Sequence, residues 1–90
     1  MAVVWIPSLL QSLTGGAGTV SVPGATLRQV LDNLDARFPG FRERLVDEQG
    51  RFQPEIAVAI DGAAGQWGLS EPVDPDAELH IIPAISGGDV

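Results

Sequence analysis

The sequence contains no cysteine and no lysine. Without a thiol there is no disulfide scaffold, no thiolate metal site and no cysteine nucleophile. The chain therefore has no side chain on which to carry sulfur as a persulfide. All five cationic side chains are arginines, and the net charge is −7. That balance argues against nucleic acid as a partner, because phosphates reward a basic surface. It suits a partner with a basic docking surface, and it serves solubility equally well. The missing lysines would matter chemically if the C-terminus were ever an activated acyl group, since lysines are competing amines; five arginines without a lysine equally fit a GC-rich genome.

Long apolar runs are missing too. None approaches the roughly 18 residues that a membrane helix needs. The start, Met1-Ala2-Val3-Val4-Trp5, lacks the basic region of a signal peptide. The expectation is a cytoplasmic protein with no membrane partner. Ninety residues make one domain. A domain of that size buries only about 60–65% of its unfolded surface, which leaves little room for a deep internal active site. There is no repeat, linker or low-complexity tract.

What is present reads as alternating short elements. Residues 2–6 are apolar and β-branched and stop at Pro7, which predicts a first strand. In residues 8–14, Leu9, Leu10 and Leu13 lie at helical spacing, closed by Gly15-Gly16, which predicts a short helical turn. Residues 19–22 alternate and end at Pro23-Gly24, which predicts a second strand antiparallel to the first. The clearest element is a helix over about 27–38. Thr26 and Gln29 form a capping box, and Leu27, Val30, Leu31, Leu34 and Phe38 share one face. Pro39-Gly40 ends it, and a further turn over 41–46 puts Phe41 and Leu45 on one side. Residues 55–60 predict a third strand stopped by Asp61-Gly62. Residues 63–77 read mostly as loop anchored by Trp67, Leu69 and Val73, and residues 79–83 as the last strand. The order β-β-α-β-β predicts an α+β, β-grasp (ubiquitin-like) fold: a mixed sheet of four to five strands, one main helix on one face, and the first strand beside the last. The domain is expected to span 1–85, with a flexible tail at 86–90.

Alternation divides the sheet into two faces. The helix-covered face takes Val4, Ile6, Ile56, Val58, Ile60, Leu79 and Ile81. The opposite face takes Val3, Trp5, Ala57, Ala59, His80 and Ile82, which is too apolar for a face left to water. Either it docks a partner, through Val3, Trp5, His80 and Ile82, or loop 63–77 folds over it.

The catalytic inventory is thin. His80 is the single histidine, so no Ser-His-Asp or Cys-His arrangement assembles and no second histidine exists for a metal. Asp74, Asp76 and Glu78 lack the spacing of a calcium loop and read as a solvated turn. Gly15-Gly16-Ala17-Gly18 lacks the Lys-Ser/Thr of a phosphate loop and reads as a turn. That leaves the end of the chain: Ala84, Ile85, Ser86, Gly87, Gly88, Asp89 and Val90. Residues 84–88 carry no charge and no aromatic, and extend to roughly 16 Å. Such a segment can enter a narrow channel in a partner, or it can be a frayed terminus.

The run Asp76-Ala77-Glu78-Leu79-His80-Ile81-Ile82-Pro83-Ala84-Ile85-Ser86-Gly87-Gly88 resembles the ending of the ubiquitin-like, MoaD/ThiS-like sulfur carriers. Ile6–Gly16 and Phe38-Pro39-Gly40-Phe41-Arg42-Glu43-Arg44-Leu45 are similar to the branch of that family that serves a cysteine-forming pathway. The resemblance covers nearly the whole chain. It implies a carrier that is not itself an enzyme and binds no cofactor. A partner adenylyltransferase and sulfurtransferase of the ubiquitin-activating type would use ATP and magnesium to adenylate Gly88. Sulfur would then displace AMP to leave a thiocarboxylate. Asp89-Val90 departs from the commonest ending, and in some members such an extension is removed by a JAMM-type zinc metalloprotease. The sulfur acceptor implied is a cysteine synthase-like enzyme. The alternatives are a small subunit of molybdopterin synthase, with that enzyme's large subunit as acceptor, or a ubiquitin-like interaction domain that uses its apolar face alone.

Overall fold

The computed structural model describes residues 1–65 and 67–83. Five strands form one mixed sheet: β1 (Ala2–Trp5), β2 (Thr19–Val22), β3 (Ile56–Ile60), β4 (Ala63–Gly65) and β5 (Glu78–Pro83). Their order across the sheet is β2-β1-β5-β3-β4. This is the β-grasp arrangement expected from the sequence, at the upper strand count. The last strand lies in the middle, parallel to β1 and antiparallel to β3.

The main helix, α1 (Leu27–Arg37), starts where the chain can satisfy its free amides. Thr26 Oγ1 accepts from the Gln29 amide at 3.3 Å. The return half of the capping box is displaced by one residue: Gln29 Oε1 accepts from the Ala25 amide rather than that of Thr26. The amides of Leu27 and Arg28 donate to the carbonyls of Glu71 and Leu69, so a distant loop completes the cap. Ahead of the helix, Gly24 adopts φ +152°, and a Cβ there would stand 2.7 Å from the Val30 amide nitrogen. Only glycine lets the β2–α1 connection run so close to the helix. A second short helix, α2 (Phe41–Leu45), buries Phe41 and Leu45.

The core lies between α1, α2 and one face of the sheet. Val4, Ile6, Val58, Leu79 and Ile81 are buried there beside Leu27, Val30, Leu31 and Leu34, with Ile56 and Ile60 partly buried against them. The predicted face assignment is therefore the observed one. Each fully buried Leu or Val contributes about 1.5–3 kcal/mol relative to exposure.

Two local readings are corrected. Residues 63–65 form β4 rather than loop, because Asp61 (φ 52°) and Gly62 (φ 87°) close a two-residue hairpin and pair Ile60 with Ala63. Both positive angles fit the primed turn that Asp-Gly favours. Ser8–Thr14 is a 3₁₀ helix. With three residues per turn, Leu10 and Leu13 face inward, while Leu9 is 65% exposed and does not join them.

Candidate functional site

The pairing of β5 decides where the last described residues lie. Val3, Val4 and Trp5 pair with Glu78, Leu79 and His80 on one side. Ile56 through Ile60 pair with Pro83 through Leu79 on the other. Pro83, opposite Ile56, is thus held at the centre of the sheet rather than at an edge. The residues expected to carry the chemistry, Ala84, Ile85, Ser86, Gly87 and Gly88, and the extension Asp89-Val90 lie outside the described residues.

Beside this root lies the sheet face that the helix does not cover. Trp5 is 43% exposed and Ile82 42%. The Trp5 and His80 rings stack, with centroids 5.1 Å apart and planes 7° from parallel. That contact follows from the register, which places the two residues side by side on adjacent parallel strands. Val3 and Ala57 are half-buried on the same face, and Ala59 is buried. Ala59 pairs laterally with His80, and its single methyl sits low between larger neighbours. Together Trp5, Pro7, Ala59, Gly62, His80 and Ile82 line a shallow hollow of about 460 Å³. Pro7 and Gly62 were not marked by the sequence pattern, since neither belongs to an alternating strand.

Residues 67–77 do not cover this face. Trp67 Nε1 donates to the Val58 carbonyl at 3.0 Å, and Leu69 and Val73 are buried in the core under α1. The Val73 amide bonds to the Ala25 carbonyl. These anchors draw the loop to the helix side. A second hollow, of about 540 Å³, lies there between Arg51, Phe52, Ile56, Trp67 and Leu69.

Among the described residues no cluster of His, Asp or Glu could hold a metal ion. Asp74, Asp76 and Glu78 are all exposed, as a solvated turn requires. His80 has an aromatic ring, not a nucleophile, as its stacking partner. Gly15 ends the 3₁₀ helix in a left-handed conformation, which is a turn's geometry. No described helix is long and apolar enough to cross a membrane.

Comparison with known proteins agrees with this fold. The profile of the ThiS family matches residues 4–88. The sulfur carrier protein CysO of Mycobacterium tuberculosis is 32% identical over 89 residues, covering 94% of this chain and 96% of that protein. The fold is similar to that of CysO in the Amycolatopsis orientalis BexX/CysO complex, with TM-score 0.90, 32% identity and coverage of 98% and 100% of the two chains. It is also similar to the crystal structure of Mycobacterium tuberculosis CysO, with TM-score 0.88, 29% identity and coverage of 94% and 100%.

Proposed function

The chain belongs to the ThiS family, and from that premise we propose that it is a sulfur carrier protein whose working end is the carboxylate of Gly88. The observation that carries this reading is the extent of the family match. It runs from residue 4 through the body and ends at Gly88, so that Asp89 and Val90 fall outside it. The body is residues 1–85, and 86–90 is a thin tail with a removable extension.

The chemistry follows from what a carboxylate lacks. It is a poor electrophile until it has a good leaving group. An adenylating partner of the ubiquitin-activating type joins a Gly88 oxygen to the α-phosphorus of magnesium-bound ATP, and pyrophosphate leaves. A sulfur nucleophile supplied by the sulfurtransferase then attacks the acyl carbon. The C–S bond forms and AMP departs. The resulting thiocarboxylate is an anionic, soft nucleophile, which delivers sulfur to an electrophile on an acceptor enzyme of the cysteine synthase type. ATP and magnesium belong to the partner, and apart from the Gly88 carboxylate no group on this chain takes part in the bond changes.

The body is what the partners recognise. Trp5, His80 and Ile82, with Val3 at the margin, form the docking face. Its nearness to Pro83 means that a partner seated on it also receives the tail. Gly87 and Gly88 have no side chains to obstruct a narrow channel, whereas the branched Val90 does. Removal of Asp89-Val90 by a JAMM-type zinc metalloprotease is therefore the step that makes the carrier competent. The relatives named as sulfur carriers, and a fold neighbour reported in complex with BexX, support a carrier that works through protein partners.

The test is a reconstitution with the host's ubiquitin-activating-type enzyme, ATP, magnesium and a sulfide donor. The chain ending at Gly88 should release pyrophosphate and gain the mass of one oxygen replaced by sulfur. The chain ending at Val90 should do neither until the metalloprotease is added. Equal activation of both forms, or of neither, would overturn the reading.

A further inference from the structure

An activated acyl group is exposed to every amine within reach. Resting on the carrier reading, we infer that this chain is built to be inert towards its own activated C-terminus, so that it acts as an acyl donor and never as a side-chain acceptor. Two independent observations support this. The first is composition: with no lysine and no cysteine, no side chain offers an amine or a thiol. In a chain that starts at Met1, the remaining amine is the N-terminal one.

The second observation is where the fold places that amine. Because β1 and β5 are parallel and Val3 pairs with Glu78, Met1 lies at the level of Asp76. The root of the tail, Pro83, is at the opposite end of β5. At about 3.3 Å rise per residue the two ends are ~23 Å apart. Fully extended, residues 84–88 span at most about 18 Å. Had the first and last strands paired antiparallel, Met1 would stand beside Pro83. The parallel pairing at the centre of the sheet thus separates the one amine from the acyl carbon. When the linker cannot span the sites, the effective concentration falls to nearly zero.

The reaction prevented is defined. An amine nitrogen would attack the Gly88 acyl carbon, a C–N bond would form, and the bond to the leaving group would break. The ammonium proton would pass to solvent, leaving an amide that is useless for sulfur delivery. The same absence of side-chain amines means that one activated copy has no lysine on another copy to acylate. The acyl group is left for an external sulfur nucleophile or for water.

The experiment installs an alkyl thioester on Gly88 chemically, by thiol cleavage of a fusion, so that no activating enzyme is needed. Its failure is therefore distinct from failure of the carrier reading. Two matched variants each replace an exposed carboxylate with an amine. Glu55→Lys lies next to Ile56, which pairs with Pro83, and Asp76→Lys lies at the level of Met1. Each thioester is incubated in mildly alkaline buffer and followed by intact mass. The unmodified chain should give only the hydrolysed acid, and should convert to the thiocarboxylate when hydrosulfide is added. Glu55→Lys should form an internal amide, one water lighter than the acid, at least about tenfold faster than Asp76→Lys, with the link mapped to the substituted position by fragmentation. The inference is overturned if the unmodified chain cyclises through Met1 or condenses with itself at a rate near that of Glu55→Lys. It is equally overturned if the two lysine variants cyclise at the same rate.

Discussion

The two faces of the sheet are made by the same strands and are both apolar, yet they have opposite fates. On one face Val4, Val58, Leu79 and Ile81 are no more than 6% exposed. On the other, Trp5 and Ile82 keep more than two-fifths of their surface in water. Hydrophobicity does not separate them. The helix and every loop anchor fall on the first face: α1 by its Leu27, Val30, Leu31 and Leu34 stripe, and loop 63–77 by Trp67, Leu69 and Val73. An apolar face left bare while a nearby loop packs elsewhere is what the proposed docking of a partner requires. In a chain of 90 residues, one face holds the body together and the other leaves Trp5 and Ile82 open to solvent.

Substitutions on the two faces should therefore fail differently. The largest effect is expected on the covered side. Leu34→Ala removes a side chain with 0% exposure and should cost about 2–5 kcal/mol, read as a lower urea midpoint. Trp5→Ala should change stability by only about 1 kcal/mol, while weakening binding to the activating enzyme by about 2 kcal/mol, or roughly thirtyfold in Kd. Titration calorimetry beside urea unfolding separates the two effects. If Trp5→Ala unfolds the chain as Leu34→Ala does, the distinction between the faces collapses.

The smallest effect concerns the turn before β3. The Asp47 carboxyl is held below its ordinary value of 3.8, first by the Arg51 amide; desolvation, next in size, opposes this, and the Gln49 amide and the Arg51 guanidinium add smaller lowering effects. Asp47 Oδ1 accepts from these amides at 3.0 and 2.8 Å. A carboxylate whose pKa is lower in the folded state contributes stability above its unfolded value, and loses it as pH falls through the lowered one. Asp47→Asn should thus be slightly less stable than the parent at neutral pH. The gap should close in acid below 3.8, as followed by urea midpoints at both pH values.

Much of this was legible in the sequence. The α1 stripe and the strand alternation placed the covered and bare faces correctly, because burial on one side imposes a period on the residues. Three features were not legible, each for a physical reason. Ala63-Ala64-Gly65 has little strand propensity and pairs because the Asp61-Gly62 turn holds it against β3. The course of residues 67–77 depends, beside the Trp67, Leu69 and Val73 anchors, on backbone carbonyls of Leu69 and Glu71 that cap α1, and main-chain bonds leave no mark on side-chain pattern. Leu9 was read at α-helical spacing, but the segment winds at three residues per turn and turns Leu9 to solvent. The chemistry proposed for the tail comes only from its resemblance to a family. Small residues after a strand carry no pattern of their own.

The most direct test of the central claim is the intact mass of this protein purified from its native host, with thiocarboxylate trapped by alkylation to distinguish it from methionine oxidation. The account predicts a chain that has lost Asp89-Val90 and ends at Gly88, a fraction of it alkylated through sulfur. A chain that stays full-length when the host's metalloprotease and activating enzyme are present would contradict it, leaving the bare face to act alone.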